Sequence, residues 1–417
     1  MTTSVIAIAN NDWVSTTVGE CLDPSRNATS ASVPTRAYRP TGRFPIIDQS
    51  AKAIAGYTDD ESLVIKDGLP LVVFGDHTRA LKYVDFPFAR GADGTQILRT
   101  KSNVDAKFFY YACRNIDLPS RGYNRHFTLF REQGIRLPGT LEEQRMIVRV
   151  LERVDEAITT EDRAATLAEE LMLAVRGHLF AQGLQGDEHE ATGISAAPWD
   201  YVRLDAVADV ISTRMPYSTL ESMTHSTDAA AVRVLGIKVS DMNRPGNEVE
   251  LTHAAVEVDL DLDVATKACA PPGTIIFPKR GAAIATNKKR FAYTWTVFDP
   301  NVIGVRARPG LDQRFLFHWF QAFDLRSITE PGPTPQLNKK NLEPLLVPTP
   351  PTIEEQQQIA AILDQLNTKA EVHRAKRAVL DELLETLLRG LMSGDIRLGD
   401  LDLSALPTST ESLKESV

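Results

Sequence analysis

The densest group of side chains able to bind a polyanion lies in residues 278–290. This stretch of 13 residues contains five cations, Lys279, Arg280, Lys288, Lys289 and Arg290, and no acidic residue. It follows the hydrophobic run 274–277, which is typical of a strand. A glycine-containing loop at a strand end can bring cations to phosphates, with Thr286 and Asn287 as further contacts. Asn287 could read a base edge. The pattern indicates contact with nucleic acid; a solvated turn is the alternative.

Three other loops combine cations, amides and turn-forming residues in the same way. The first follows the hydrophobic run 71–74, and the other two precede long predicted helices. Their candidate DNA-binding residues are His77, Thr78, Arg79 and Lys82 in the first loop, Arg121, Asn124 and Arg125 in the second, and Gln336, Asn338, Lys339 and Lys340 in the third. Mixed charge in the first loop favours readout by hydrogen bonds, and a purely structural role for His77 stays open.

Sequence motifs for catalysis are missing. Asp299-Pro300-Asn301-Val302 lacks the second proline and the aromatic residue of base-modifying methyltransferases, and no dinucleotide or NTP loop motif occurs. The acidic run through Asp259, Asp261 and Asp263 is more typical of a solvated strand than of a metal site. The cysteines 21, 113 and 269 are odd in number and widely spaced, which fits neither a disulfide framework nor a zinc site. We expect no catalytic residue and no metal ligand.

The net charge of −9 is unevenly distributed along the 417 residues. Residues 1–137 hold 17 Lys/Arg against 14 Asp/Glu, residues 196–348 hold 17 against 17, and the rest hold 12 against 24. The acidity therefore lies in the predicted helices and the tail, and the two candidate DNA-reading segments are not acidic. No run of about 18 apolar residues occurs, so we expect no membrane span. The N-terminus has no basic region ahead of an apolar stretch, which favours a cytoplasmic location.

An internal repeat organises the chain. Leu141-Glu142-Glu143-Gln144 followed by Ile147 recurs 212 residues later as Ile353-Glu354-Glu355-Gln356 followed by Ile359. A proline precedes each copy by a few residues, as expected where a helix begins. Each helix follows a mixed segment that opens at a tryptophan, Trp13 or Trp199, and contains short strand-like runs. The chain therefore consists of a mixed domain, a helix, a second mixed domain and a second helix.

Both helices carry a heptad seam of apolar residues. Helices of this length rise about 60 Å, too long for burial in one globular core, so we expect them to pack on each other. Residues near the middle of the first helix sum to a charge of −3 and include Glu161 and Asp162, and those of the second sum to +3 and include Lys376 and Arg377. Opposite charges at the midpoints favour an antiparallel coiled coil; solvated faces contributing little are the alternative.

The repeated Pro-(Pro)-x-x-Glu-Glu-Gln-x-x-Ile helix after each mixed domain, with the final Leu391-Met392-Ser393-Gly394-Asp395-Ile396-Arg397, resembles the specificity subunit of type I restriction-modification systems. The resemblance covers nearly the whole chain, although Gly139 stands where the second copy has Pro351. It implies an α+β fold in which two target recognition domains are separated by the family's two conserved helices, paired as an antiparallel coiled-coil spacer.

The resemblance also implies partners. Each recognition domain would read one half of a bipartite, asymmetric site in double-stranded DNA. Two methyltransferase subunits would dock on the chain and supply the S-adenosylmethionine site, and restriction subunits would supply the ATP and Mg site, so that this chain binds no cofactor itself. Two alternatives stay open: a two-domain coiled-coil scaffold that binds proteins, and a stand-alone DNA-modifying enzyme.

Domain boundaries follow from the repeat. We expect the first recognition domain at 1–137, the central helix at 138–183, a linker at 184–198, the second recognition domain at 199–348 and the C-terminal helix at 349–397. Residues 398–417, rich in Ser, Thr and Glu, are expected to form a disordered tail.

Overall fold

The computed structural model describes residues 13–24, 31–92, 94–119, 122, 125–182, 199–330 and 335–401. The chain divides into two compact units. The first unit comprises Met1–Arg163 with Arg374–Val417, and the second comprises Ala164–His373. Each repeated helix is therefore shared between the units, and each unit combines one mixed domain with part of both helices. The predicted linker 184–198 lies outside the described residues.

The first unit is α+β, as predicted. Its strands and short helices are β1 (Val14–Thr17), β2 (Phe44–Ile47), β3 (Gly56–Thr58), β4 (Val64–Ile65), β5 (Leu71–Gly75), β6 (Leu81–Val84), β7 (Phe88–Arg90), β8 (Thr95–Leu98), α1 (Ala106–Arg114), α2 (Phe127–Arg131) and β9 (Gly134–Leu137). They form sheets in the orders β3-β2-β7-β4, β6-β5-β8 and β1-β9. Strand β5 is buried along its whole length, because both its neighbours and helix α1 pack against its apolar side chains.

The first long helix, α3, runs from Leu141 to Gln182. The second unit then contains β10 (Asp200–Arg203), α4 (Leu204–Val207), β11 (Ala208–Ile211), α5 (Tyr217–Glu221), β12 (Val232–Ile237), β13 (Glu250–Leu251), β14 (Val256–Leu260), α6 (Leu262–Ala268), β15 (Ile275–Pro278), β16 (Arg290–Ala292), β17 (Trp295–Phe298), β18 (Val302–Ala307), α7 (Gln313–Ala322), α8 (Lys339–Leu342), β19 (Leu346–Thr349) and the second long helix α9 (Ile353–Ser393). Its sheets have the orders β11-β18-β15-β16-β13, β14-β12-β17 and β10-β19.

Short 3-10 helices complete the described secondary structure. They are Gly19–Cys21, Thr35–Ala37, Glu61–Leu63, Val239–Asn243, Gly281–Thr286, Leu325–Ile328 and Leu398–Asp400.

The two long helices pair in the predicted antiparallel sense within each unit. In the first unit Ile147 and Leu151 of α3 share a buried core with Leu384 and Leu391 of α9. In the second unit Leu179 of α3 shares a core with Ile359 and Leu363 of α9. The start of one helix therefore lies beside the end of the other. The heptad seam places these apolar residues on the buried face.

The opposite charges near the helix midpoints meet as expected. Within the first unit, Arg377 lies 3.1 Å from the Asp162 carboxylate. Lys376 lies 4.0 Å from Glu161. These exposed pairs contribute little stability each, but they disfavour a parallel arrangement.

The glutamine of the repeated Glu-Glu-Gln motif is buried at both helix starts. Gln144 accepts a hydrogen bond from the backbone N–H of Asp105 at 2.8 Å and donates to the carbonyls of Asn103 and Pro138. Gln356 repeats this pattern with Asp312 at 2.7 Å, Gly310 and Pro350. Asp105 and Asp312 are in turn the N-caps of α1 and α7. Each glutamine therefore ties a long helix to the short helix of its mixed domain.

The disordered tail predicted for residues 398–417 was placed to begin too early, because residues 398–400 are ordered. Leu398 is buried in the core of the first unit, and Leu398–Asp400 form a 3-10 turn. The turn is ordered because Leu398 packs beside the end of α9. Residues 402–417 lie outside the described residues.

Candidate nucleic-acid interface

Two of the predicted DNA loops pair with each other in the second unit. Arg280 forms a β-bridge with Gln336, the N–H of Gly281 donates to the carbonyl of Pro335 at 2.9 Å, and the N–H of Leu337 donates to the carbonyl of Lys279 at 2.9 Å. The end of β15 is thereby joined to the loop that leads into α8. This places Lys279 and Arg280 beside Gln336, and Asn338, Lys339 and Lys340 follow at the start of α8.

The corresponding loops of the first unit also pair. Asp76, directly after β5, is buried, and its carboxylate accepts from the N–H groups of His126 and Phe127, each at 2.8 Å. Arg125 extends from this contact with its side chain 83% exposed. The sequence indicated these loops as separate candidates, and the structure shows that they contact each other within each domain. Arg121 and Asn124 lie outside the described residues.

Several predicted DNA contacts of the second unit point inward. Lys289 is only 1% exposed, and its Nζ donates to the carbonyl of Phe323 at 2.5 Å. Burial, followed by the positive charge of Arg176, lowers the pKa of Lys289 to about 8. The amide of Asn287, at φ 53°, accepts from the N–H of Leu325 and donates to the carbonyl of Phe323. A phosphate contact by Lys289 and base readout by Asn287 do not fit this placement.

Lys288 and Arg290 are also bound within the domain. Arg290 donates to the carbonyls of Met242 and Lys289, each at 3.0 Å, and burial lowers its pKa. Lys288 donates from Nζ to the side-chain oxygen of Asn243. These two cations hold neighbouring segments of the domain, an arrangement that favours a positioning role over the predicted phosphate contact.

In the first unit Thr78, Arg79 and Lys82 are likewise engaged within the protein. Lys82 donates from Nζ to the carbonyls of Asp48 at 2.8 Å and Lys52 at 2.5 Å. Burial lowers the pKa of Lys82, and Asp48 partly opposes that shift. Thr78 donates to the carbonyl of Gln49.

Arg79 and His77 complete the loop after β5. Arg79, at φ 63°, donates to the carbonyl of Leu118 at 2.6 Å. The N–H of His77 donates to the side-chain oxygen of Gln49 at 3.2 Å, and the His77 side chain is partly buried. The loop after β5 therefore braces the segment after β2.

The remaining candidates stay on the surface. Arg280 and Thr286 are exposed, and no described residue pairs with the Arg280 guanidinium. Lys339 and Lys340 are exposed but lie 3.4 Å from Glu343 and 2.7 Å from Glu330. Exposed ion pairs of this kind are worth about 1 kcal/mol or less, so a phosphate can compete for these cations. Asn338 caps α8, and Lys279 and Gln336 are partly buried.

A buried polar group joins α7 to α9 in the second unit. His318 is fully buried, and its Nε2 lies 2.8 Å from the Asp364 carboxylate, which Arg314 also binds. Burial lowers the pKa of His318, which favours the neutral ring, and Nε2 is the ring nitrogen that faces the carboxylate. Burial opposes ionisation of Asp364, but the hydrogen bonds from His318 and Arg314 outweigh it and lower the pKa of that carboxyl. The group is structural, because it lies in the domain core.

The described residues provide no centre for metal chemistry. They contain no group of three or more His, Cys, Asp or Glu side chains arranged to hold a metal ion. Burial raises the pKa of the Cys21 thiol to about 11 and that of Cys269 to about 11, which disfavours the nucleophilic thiolate. Within the same residues no helix is both long and apolar enough to cross a membrane.

The difference in exposure predicts that only one of two cations in the same basic run affects DNA binding. Replacing Arg280 by Ala should weaken binding to duplex DNA and lower the slope of log affinity against log salt by about one unit, because one phosphate contact is lost. Replacing Lys289 by Met should leave the slope unchanged, because its ammonium faces Phe323. Fluorescence anisotropy across a salt series measures both. If Lys289→Met lowered the salt slope and Arg280→Ala did not, the assignment of Arg280 as the cation that contacts phosphate would be contradicted.

Comparison with known proteins agrees with the resemblance to type I restriction-modification specificity subunits noted in the sequence. Residues 197–382 match the family model described as type I restriction modification DNA specificity domain. The fold is similar to the crystal structure of the type I restriction-modification system S subunit from M. genitalium, with a TM-score of 0.62, 15% identity, and 92% of this chain and 97% of that chain covered. A chain from a structure of the type I R-M system, studied for complex assembly and conformational transition, matches with a TM-score of 0.50, 19% identity and coverage of 92% and 98%.

Two mixed domains, each followed by its own copy of a long helix, form a fold similar to that of the S subunit. The resemblance noted in the sequence is confirmed by this match of residues 197–382 to the DNA specificity domain model and by the similarity of the fold to S subunits.

Proposed function

We propose that this chain reads a bipartite, asymmetric DNA site, one half with each mixed domain, and directs partner subunits to it. The observation that carries the proposal is the duplication: in each unit, the loop after the central strand pairs with the loop ahead of a helix. Two independent readers on separate cores suit two separate half-sites. The paired long helices act as the spacer between them.

Methyltransferase subunits, two in number, dock on the chain and supply the S-adenosylmethionine site. Restriction subunits, where present, supply the ATP and Mg chemistry. The chain itself holds no catalytic group, a proposal supported by the bound state of its loop cations and the high thiol pKa values. It works in the cytoplasm, where chromosomal DNA is accessible.

Incubation with duplex DNA tests this function. The purified chain should transfer no methyl group from S-adenosylmethionine and cut no DNA, whereas the chain with its methyltransferase subunits should shift duplex DNA in a gel and methylate it. The matched control is the methyltransferase subunits without the chain, which should show no sequence preference. Methyl transfer by the chain alone would overturn its non-catalytic role, and indifference to DNA in every combination would favour a protein-binding scaffold.

A further inference from the structure

The loops that follow β2 and β12 occupy equivalent places in the two domains. Strand β2 pairs in parallel with β7 and antiparallel with β3. Strand β12 likewise pairs in parallel with β17 and antiparallel with β14. Strands β5 and β15 each lie between two antiparallel neighbours. The segments 48–54 and 238–247 therefore occupy equivalent topological positions, each directly after the strand with one parallel and one antiparallel neighbour.

Both copies are held by cations that belong to the predicted DNA loops. In the first unit Lys82, from the strand beside β5, donates to the carbonyls of Asp48 and Lys52. In the second unit Arg290, from the strand beside β15, donates to the carbonyl of Met242, and Lys288 donates to Asn243. The same positioning contact therefore occurs twice, built from different residues.

We propose that these two loops are the sequence-reading elements, with Lys52 contacting DNA in the first domain and Arg244 in the second. Lys82 and Arg290 are positioning residues that hold the loops. The proposal rests on the proposed function and extends it, because it names which side chains reach double-stranded DNA.

The loop of the second domain has a preformed base. Asp241 is fully buried and accepts from the N–H groups of Lys238 and Ala255. Asn247, also fully buried, donates to the carbonyls of Asp241 and His253. Residues 243–246 therefore project from a base whose polar groups are satisfied, which lowers the cost of ordering them on binding.

Arg244 has the geometry for a base or phosphate contact. Its Nε donates to Asp241 at 2.8 Å, and its side chain is 42% exposed. No described residue binds its two terminal nitrogens. An arginine fixed at Nε presents these nitrogens as a fork, which suits bidentate bonds to guanine O6 and N7 or to a phosphate.

The loop of the first domain presents Lys52. Residues 51–54 are exposed, whereas the carbonyls of Asp48, Gln49 and Lys52 are bound by Lys82 and Thr78. The Lys52 ammonium makes no ion pair with a described residue. It is the cation at the tip of this loop, and an ammonium contacts phosphates as a point charge.

Selection from a random-sequence duplex pool tests the proposal, using the full-length chain with its methyltransferase subunits. Arg244→Gln, which keeps a donor for Asp241, should relax one base position in one half of the selected motif and weaken binding about 5- to 100-fold. Lys52→Ala should weaken binding and lower the salt slope by about one unit. Arg233→Gln and Lys66→Ala are matched controls, since both are exposed cations with acidic partners elsewhere.

A double-substitution cycle tests the positioning role. Arg290→Met alone should weaken selective binding, but in the Arg244→Gln background it should have a smaller effect, because the loop it holds no longer reads the base. A merely structural role for Arg290 would give the same effect in both backgrounds. Thermal unfolding of each variant is the control that checks whether its fold persists.

The outcomes separate this proposal from the function on which it rests. If the unaltered complex selects a motif and both Arg244→Gln and Lys52→Ala select the same motif with control-like affinity and salt slope, the loop assignment is overturned. If the unaltered complex selects no motif, the proposed function itself fails.

Discussion

Exchanging residues 199–348 for the matching segment of a specificity subunit with another target should change one half of the methylated sequence and leave the other half unaltered. The second mixed domain forms its own core, so its reading surface should move with it. That core also includes Phe180 of α3, whose ring lies 5.3 Å from Phe315. The donor segment must therefore keep an aromatic residue at the Phe315 position.

The change should be large, since each mismatched base pair costs about 1–3 kcal/mol and a half-site contains several. Mapping methylated positions in cells that carry each chimera measures it. A matched control exchanges residues 199–348 for those of a subunit with the same target, which should leave both halves unaltered. Chimeras that alter both halves together would show that the domains do not read independently.

Replacing Gln356 by Leu should destabilise the second unit by about 3 kcal/mol or more. The substitution removes one acceptor and one amide donor, and it leaves the N–H of Asp312 and the carbonyls of Gly310 and Pro350 without their described partner. Each buried unsatisfied group costs about 1–3 kcal/mol. Gln144→Leu should act in the same way on the first unit.

Urea unfolding followed by circular dichroism measures this effect. Gln357→Leu is the matched control, since it changes the neighbouring, exposed glutamine of the same helix and should shift stability by about 0.5 kcal/mol or less. Equal effects of the two substitutions would mean that the buried clamp contributes nothing beyond helix propensity.

The sequence predicted the architecture well, because its signals are periodic and local. The first long helix was expected at 138–183 and extends over Leu141–Gln182, and the second was expected at 349–397 and extends over Ile353–Ser393. The prolines mark where each helix begins, and the extent of the heptad pattern indicates where it ends. The charges around Glu161 and Lys376 indicated the antiparallel pairing. The repeat also puts Gln144 and Gln356 at matching positions, although only the structure shows their hydrogen-bond partners.

The individual contact residues were harder to predict. A run of cations such as 288–290 has the same composition whether its side chains face water or the interior. Burial of Lys289 depends on Phe323, far away in sequence, and the engagement of Asn287 depends on Leu325. The sequence therefore could not show that Lys289 and Asn287 form hydrogen bonds inside the domain.

The loops after β2 and β12 were missed because they carry few cations. Lys52 is the single cation of segment 48–54, and segment 238–247 has two, Lys238 and Arg244, so composition does not distinguish these segments. Alignment of the two mixed domains strand by strand would have revealed the shared position, but their residues differ too much for the repeat to extend visibly beyond the helices.

Methylation mapping of a genome tests the central claim most directly. Cells that express the intact chain with its methyltransferase subunits should carry methyl groups at one motif, made of two short and different blocks separated by a fixed number of unread base pairs. Cells with the methyltransferase subunits alone should lack it. A continuous motif, or a methylation pattern that does not depend on the chain, would contradict the account.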